Sequence, residues 1–377
     1  MNMSDTGTPG HQQGSRSPQR KPPATSVGVL GWLHANLFNG WFNTLLTVLS
    51  LYLLWTVVPP LFDWLFFDAI WANVPAEVCR ESRGSGACWA FIRDRYRLIL
   101  FGTYPFEEQW RPLVGVIVLL AVIAFSCFRR FWRPWLALVW LGALLVYLML
   151  LGGGVFGLSS VRTDLWGGLP LTLLLAVVGI VVAFPLSLLL ALGRRAEHMP
   201  IVKAICVGYI ELIRGVPLIS LLFMASFMLP LFMPTGVTID ALIRAQVAII
   251  VFVSSYLSEV IRGGLQALPR GQYEAAQAMG LTYWQMQRKI ILPQAIKISI
   301  PPIVNTYLGM FKDTSLVAIV SLTDLLLATR QSFADPEWRP FFVEGYVFIA
   351  CIYWSFCFFM SKYSQYLERA LSTDHTR

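Results

Sequence analysis

The sequence between Glu274 and Pro293 combines residue types whose chemistry is mechanical rather than catalytic. Ala275 and Ala276 are small enough for a short helix to seat closely in a groove of another protein. Gly280 permits a sharp turn between two helices, and Pro293 is expected to end the second of them. Glu274 supplies a carboxylate that pairs with a basic residue of a partner or, alternatively, caps or forms an ion pair within its own loop. These residues predict a pair of short docking helices.

Two ionisable residues, Lys312 and Asp313, lie inside an apolar stretch of the chain. Ionisable groups are costly in a membrane-spanning segment and are therefore candidates for function. Successive residues of a helix point about 100° apart, so the two side chains are not expected to face each other. Either one contacts a polar solute in transit while the other pairs with a second helix, or both bridge to helices that carry Glu259 or Arg262. The uncharged candidates for the same pathway are Asn305, Ser255, Thr314 and Ser315. Small hydroxyl residues, however, more often serve helix packing.

Four further charged residues flank two neighbouring apolar stretches. Glu211 and Arg214 precede one stretch, and Glu259 and Arg262 end the next. Ion pairs among them would form a cytoplasmic gate that rearranges during transport. Alternatively, they are basic anchors with local counter-ions, which are common beside membrane spans.

Composition places these residues in an integral membrane protein. Of the 377 residues, 56% are hydrophobic and 13% are charged, whereas a soluble domain is about 25% charged. The apolar residues form blocks near the roughly 20 residues that a membrane-spanning helix needs. Because unpaired backbone groups are excluded from lipid, the sequence predicts an all-α integral membrane protein. The eight predicted spans are 42–66, 112–128, 134–156, 168–192, 216–233, 241–261, 298–320 and 341–361.

The distribution of basic residues orients the predicted spans. With both termini inside (N-in, C-in), the cytoplasmic segments hold 18 of the 29 basic residues, as the positive-inside rule requires. The rule also explains the net charge of +8 without a nucleic-acid partner. The predicted order is a disordered cytoplasmic tail (1–40), three accessory spans (41–160) with a periplasmic loop (67–111), and a core (161–377) with a cytoplasmic linker (262–297).

Cysteine positions and motifs favour neither a metal site nor an enzyme. Cys79 and Cys88 lie together in the polar loop, where a disulfide is plausible if the loop is periplasmic. The other four cysteines lie in or beside apolar stretches and are expected to pack. No zinc spacing, nucleophile motif or phosphate loop occurs, so the chain itself is not expected to hydrolyse ATP. Ion-coupled carriers often contain two related halves, and the sequence shows no such repeat.

The stretch from Glu274 to Pro293 fills every position of a known signature. It reads Glu-Ala-Ala, three residues, Gly, nine residues, Ile, one residue, Leu-Pro. This resembles the EAA motif of permease subunits of ATP-binding-cassette (ABC) importers. The resemblance implies a type I importer permease core of five spans, with a coupling helix that sits in a cleft of a separate ATPase. The matching residues are Glu274, Ala275, Ala276, Gly280, Ile290, Leu292 and Pro293.

Three further strings resemble the permeases of polar amino acids. They are Tyr209–Leu218, Ser258–Gly264 and Lys312–Leu316. The resemblance implies L-amino acids as cargo, carried from periplasm to cytoplasm by alternating access, with another small polar solute as the alternative. The three added spans and the string Ala87–Phe91 resemble the M-type permease of broad-specificity L-amino-acid uptake systems.

The same resemblance implies the other parts of the system. The expected partners are a Q-type permease that forms a heterodimer with this chain, two copies of a cytoplasmic ATPase, and a periplasmic amino-acid-binding protein. ATP and Mg²⁺ are expected on the ATPase, whereas this chain is expected to hold no cofactor, no metal and no catalytic residue. The expected location is the bacterial inner membrane.

Overall fold

The computed structural model describes residues 28–372, in which the regular structure is helical and no β-strand occurs. These residues separate into two compact units. The first contains the described residues up to Ala69 together with Gly84–Ala87, and the second contains Ile70–Arg83 and the residues from Cys88 onward. The all-α class expected from composition is confirmed for this range.

The first unit is built from two helices, α1 (Gly28–Asn36) and α2 (Trp41–Phe62). A π-helical turn, Asp63–Phe67, extends α2 into an apolar helix of 27 residues. None of the residues of α2 is buried, and apolar side chains lie on all its sides, a pattern typical of a membrane span. Part of the predicted tail 1–40 is therefore helical, and residues 1–27 lie outside the described residues.

The part of the predicted loop 67–111 that belongs to the second unit, Ile70–Arg83 and the residues from Cys88 onward, is folded. It contains α3 (Ala76–Glu81) and α4 (Ala90–Phe101). A disulfide joins Cys79 to Cys88, with 5.9 Å between their Cα atoms. Both cysteines are buried, so the disulfide lies inside a small core rather than on an exposed loop.

This segment packs against the last part of the chain. The ring of Phe91 contacts that of Trp338, with 5.7 Å between the ring centroids. Beside them, the guanidinium of Arg95 forms a 2.8 Å ion pair with Asp335. A polar segment thus gains a fixed position by burying its few apolar side chains against residues more than 200 positions later in the chain.

The remaining helices follow in chain order. They are α5 (Trp110–Ser126), α6 (Leu136–Gly152), α7 (Gly168–Arg194), α8 (Pro200–Arg214), α9 (Leu218–Phe223), α10 (Leu229–Leu231), α11 (Ala241–Gln266), α12 (Arg270–Ala278), α13 (Tyr283–Met286), α14 (Leu292–Asp313), α15 (Leu325–Ser332) and α16 (Phe342–Ser372).

Five helical segments within residues 28–372 are long and apolar enough to cross a membrane. They are Trp41–Phe67, Phe106–Ser126, Gly168–Arg194, Ala241–Gln266 and Arg339–Ala370. The predicted span 134–156 corresponds to α6, which is apolar but has only 17 residues. The predicted span 216–233 is half of a broken pair, because α8 and the segment Leu218–Leu231 meet at 101°. Pro217 explains the break, since proline lacks the helix-forming N–H and restricts the residue before it.

The predicted span 298–320 consists of α14 followed by a 3₁₀ segment, Thr314–Val320. Although α14 has 22 residues, it is not among the segments apolar enough to span. Its polar residues include Lys297, Asn305 and Lys312. A helix of this polarity needs protein or water beside part of its surface.

Helix α11 is the central helix of the second unit. It packs along α7 and along α14, and α14 packs in turn on α16. Leu175 of α7, Ile249 of α11 and Met310 of α14 are buried in the same core. This packing brings the ends of α7 and α11 together with the start of α14, where the linker 262–297 begins and ends.

Helix α15 begins at a buried carboxylate. Asp324 accepts hydrogen bonds from the N–H groups of Leu326 and Leu327, the usual role of an N-cap residue. The N–H of Leu325 donates to the hydroxyl of Thr172 on α7. Burial raises the pKa of Asp324 to about 6 and outweighs the two N–H donors, which act in the opposite direction.

We expect Asp324→Asn to change how stability depends on pH. An unfolded aspartate has a pKa near 3.9, so between about pH 4 and pH 6 the folded protein binds the proton more tightly and loses stability as the pH rises. Asparagine keeps the cap and does not ionise. The variant should therefore gain up to about 3 kcal/mol over the natural chain between pH 4 and pH 7.5, measured by thermal unfolding in detergent.

Asp335→Asn is the matched control. The N–H of Glu337 lowers the pKa of Asp335, with help from Arg95, so this carboxylate stabilises the fold above its unfolded pKa. Its replacement should have the opposite pH dependence. A stability difference for Asp324→Asn that is the same at every pH would contradict the assignment.

Candidate functional site

The linker 262–297 contains two short helices, α12 and α13, joined by a tight turn. The N–H of Gly280 donates to the carbonyl of Gln277 at 2.9 Å, and the N–H of Leu281 donates to that of Ala276 at 3.2 Å. These two bonds form a Schellman motif. Gly280 has a φ of +73°, a left-handed value that glycine adopts without steric cost. The glycine thus turns the chain sharply at the end of α12.

The second short helix does not end at Pro293. Thr282 and Gln285 form a reciprocal capping box at the start of α13. The chain then remains helical through a π-helical turn, Gln287–Ile291, into α14. Pro293 lies in the first turn of α14, where the helical φ of proline is suitable. The expectation that Pro293 ends a helix is therefore wrong, and the linker continues directly into a long helix.

One face of the linker is buried against the long helices. Of the EAA-like positions, Ala276 is buried, and Ile290 and Leu292 are half-buried against the same cluster. The cluster includes Ala276, Met286, Ile291 and Ala295 from the linker and α14, and Leu257, Ile261 and Leu265 from α11. This apolar packing fixes α12 and α13 to α11 and α14.

The opposite face of the linker is open. Glu274 and Ala275 are exposed on α12, and the carboxylate of Glu274 forms no ion pair within the described residues. Beside them, the side chain of Met279 is 77% exposed and that of Trp284 is 64% exposed. Large apolar side chains on a rigid, charged surface are typical of a protein-binding site. The signature residues therefore divide into an inward-packing group and an outward-facing group.

Five charged side chains meet at the ends of α7, α8 and α11, and we call them the arginine–glutamate cluster. Arg194 contacts Glu211 at 2.9 Å and Glu259 at 3.0 Å. Arg262 contacts Glu259 at 2.7 Å, and Arg214 lies 3.8 Å from the same carboxylate. The side chain of Glu259 is only 14% exposed. One carboxylate thus joins three helices through three guanidinium groups.

The four residues that the sequence indicated as a gate all belong to this cluster. Arg194 was missed, because in the sequence it is one of several basic residues that follow an apolar stretch. The signal that distinguishes it is its position at the last residue of α7, opposite two glutamates on other helices. Ring stacking adds support, since the guanidinium of Arg214 lies over Tyr256, 5.4 Å from the ring centroid.

Comparison with known proteins identifies this architecture. Residues 183–373 match the family described as binding-protein-dependent transport system inner membrane component. The chain is 47% identical to the inner membrane amino-acid ABC transporter permease protein YhdY of Escherichia coli (strain K12), over 95% of this chain and 97% of that protein. The chain belongs to this family of amino-acid ABC transporter permeases. The permease is thus a non-catalytic, multi-pass inner-membrane subunit, and ATP is hydrolysed by a separate ATPase.

A second relative matches over nearly its whole length, and a solved structure matches about half of the permease. The permease is 40% identical to the glutamate/glutamine/aspartate/asparagine transport system permease protein BztC of Rhodobacter capsulatus, over 94% of this chain and 96% of that protein. A solved crystal structure of an amino acid ABC transporter with histidines is 32% identical over 53% of the permease and 90% of its own chain, with a TM-score of 0.47.

The predicted pathway residues of the permease are not equally accessible. Asn305 and Lys312 are exposed on one face of α14, and Asp313 is half-buried. Within the described residues, neither Lys312 nor Asp313 forms an ion pair with Glu259 or Arg262. A direct ion pair with Glu259 or Arg262 is therefore not formed in this structure, and both the bridging role and the contact with cargo stay predictions.

The predicted hydroxyl residues bond to their own helices. Ser255 and Thr314 are buried, and their hydroxyls donate to the carbonyls of Phe252 and Phe311 at 2.7 Å. Ser315 is half-buried and donates to the carbonyl of Lys312. These bonds favour the packing role. Within residues 28–372, no group of three or more His, Cys, Asp and Glu side chains is arranged to hold a metal ion.

We expect Glu259→Gln to destabilise the permease. The change leaves three guanidinium groups around an uncharged amide, and loss of one partner from a mostly buried ion-pair network should cost about 2 kcal/mol, since the arginines keep some contact with water. Thermal unfolding of the purified permease in detergent measures the effect.

Asp164→Asn is the matched control for this prediction. Asp164 pairs with Arg162 at 3.0 Å, but the two side chains are 58% and 82% exposed. Loss of such a surface pair should cost less than about 0.5 kcal/mol. Equal losses of stability for the two substitutions would show that the arginine–glutamate cluster stabilises the permease no more than an exposed surface ion pair does.

Proposed function

We propose that this permease carries L-amino acids from the periplasm to the cytoplasm by alternating access, driven by an ATPase that docks on the linker 262–297. The observation that carries the proposal is the outward face of this linker. Glu274, Ala275, Met279 and Trp284 are exposed on a helix pair whose other face is packed into the core. A surface that is apolar, charged and rigidly held is suited to receive force from another protein.

The proposed assembly contains several other subunits. Two copies of the ATPase hold ATP and Mg²⁺, and one of them receives α12 in a cleft. A second, Q-type permease completes the pathway, and a periplasmic binding protein delivers the cargo. The permease itself needs no cofactor. The name of the relative from Rhodobacter capsulatus supports polar amino acids, including glutamate and glutamine, as the cargo.

The proposed topology has eight spans with both termini in the cytoplasm. It counts α6 as a short span, the broken pair α8 to α10 as one span, and α14 with its 3₁₀ extension as another. Helix α14 carries Lys312 and Asn305 on an open face. In a membrane span such a polar face is poorly suited to lipid and must face water or protein. That face instead lines the pathway opposite the second permease.

Lys312 is the proposed contact for the carboxylate of the cargo. It is exposed, and within the described residues it forms no ion pair; the carboxylate of the adjacent Asp313 acts on it only through space. Asn305 lies seven positions earlier, two turns away on the same face of the helix, and offers an amide to the polar groups of the cargo.

The arginine–glutamate cluster is the proposed cytoplasmic gate. Its five side chains join α7, α8 and α11, so relative motion of these helices must break or exchange ion pairs. Because Glu259 faces three guanidinium groups, it is able to keep one partner while it releases another. The gate thus has more than one ion-paired arrangement, which a two-state transport cycle requires.

Reconstitution tests the proposed function. In proteoliposomes that contain both permeases and the ATPase, with binding protein outside, we expect uptake of labelled glutamine and glutamate only when ATP is present inside. Met279→Asp should reduce co-purification of the ATPase at least about tenfold, because a charge replaces an apolar contact at the docking face. Val237→Asp is the control, since Val237 is also exposed but lies between α10 and α11. Uptake driven by an ion gradient without ATPase would contradict the proposal.

Replacement of Lys312 tests the cargo contact. We expect Lys312→Met to lower the rate of amino-acid uptake at least about tenfold, because the carboxylate loses its charged partner, and Lys312→Arg to keep most of the rate. Lys362→Met, on the surface of α16, is the control. If Lys312→Met instead lowers the unfolding temperature and leaves uptake per folded complex unchanged, the lysine is structural.

A further inference from the structure

Two consecutive arginines at the end of α7 contact two different parts of the permease. Arg194, the last residue of α7, belongs to the arginine–glutamate cluster. The guanidinium of Arg195, the next residue, donates to the hydroxyl of Tyr273 at 3.0 Å and to the carbonyl of Leu265 at 3.2 Å. Adjacent backbone positions thus connect the proposed gate with the docking helix α12.

Arg195, Tyr273 and Leu265 each form a hydrogen bond with both of the others. The hydroxyl of Tyr273 also donates to the carbonyl of Leu265, at 3.1 Å. The three groups therefore form a triangle whose corners lie on three elements: the end of α7, the last turn of α11 and the middle of α12. The guanidinium also lies over the ring of Tyr273, 5.4 Å from its centroid. Tyr273 is held by both its hydroxyl and its ring.

Tyr273 is positioned to transmit a movement of the docking helix α12 to Arg195. It directly precedes Glu274, the first residue of the outward-facing group. Its ring packs against the apolar cluster that contains Ala276, so the two residues move together when α12 moves. Hydrogen bonds depend steeply on distance and angle. Because α12 is packed on α11, a shift of α12 relative to α7 by one or two ångströms either breaks the two bonds of Arg195 or moves Arg195 with it.

We propose that Arg195 and Tyr273 are positioning residues that transmit the displacement of α12 to the arginine–glutamate cluster. This inference rests on the proposed function and assigns the route by which the docking helix reaches the gate. When the ATPase displaces α12, Tyr273 moves the side chain of Arg195. The last turn of α7 follows, and Arg194 is displaced from Glu259. Without the hydroxyl of Tyr273, the ATPase still docks and hydrolyses ATP, but the gate no longer follows.

The test uses the complete complex in proteoliposomes and measures amino-acid uptake per ATP hydrolysed. Tyr273→Phe removes one oxygen atom and keeps the ring over the guanidinium. Arg195→Lys keeps the charge but loses the guanidinium plane that lies over the ring of Tyr273. We expect each variant to hydrolyse ATP within about twofold of the natural complex and to transport at least about fivefold less per ATP, a typical coupling effect. Tyr366→Phe and Arg133→Lys are the controls.

The double variant shows whether the two residues act together. If the hydroxyl and the guanidinium form one link, Tyr273→Phe with Arg195→Lys should lower uptake per ATP no further than the more severe single change. A multiplied loss would indicate two independent effects and overturn the link. Unchanged uptake per ATP in both single variants would also overturn it, as would a parallel loss of ATPase binding, which would make these residues part of the docking surface. A natural complex without ATP-dependent uptake would instead reject the proposed function itself.

Discussion

The rest of the structure depends on the apolar packing beneath the linker 262–297. Ala276, Met286 and Ile291 are buried against α11 and α14, so the linker has a fixed position although both of its helices are short. Isolated helices of this length are unstable in water, and their order comes from this contact. Because the inward face is held, the outward face presents Glu274 and Met279 in one defined geometry.

The same packing explains the positions of the charged side chains at the ends of α7 and α11. It brings the ends of α7 and α11 together with α12, which places Glu259 among three arginines and Arg195 beside Tyr273. A carboxylate that is nearly buried needs partners, and three guanidinium groups give it several. Apolar contacts therefore hold the helices in place, and the ion pairs beside them join the ends of α7, α8 and α11.

Local signals predicted much of the fold and part of the site. The span 168–192 is recovered as α7, Gly168–Arg194, because a long apolar run has only one good structure in a membrane. Three features escaped prediction: the 101° bend before α9, the folded segment at Cys79, and the continuation of the helix through Pro293. The bend has a local cause, Pro217, which the predicted span 216–233 included without a break. The segment at Cys79 depends on contacts with distant residues, and the helix continues to Pro293 through a π-helical turn, neither of which a single run of sequence shows.

The sequence by itself determined the class of the protein, the family signature from Glu274 to Pro293, and the charged residues that belong to the arginine–glutamate cluster apart from Arg194. These follow from composition and from spacing along the chain, which are local properties. Only the tertiary structure decided which signature residues face inward, which charges pair, and that Arg195 bonds to Tyr273. Those outcomes depend on how α7, α8 and α11 meet. A charged residue at the end of an apolar run looks the same in sequence whether it faces water, lipid headgroups or another helix, and only the packing of the helices distinguishes these environments.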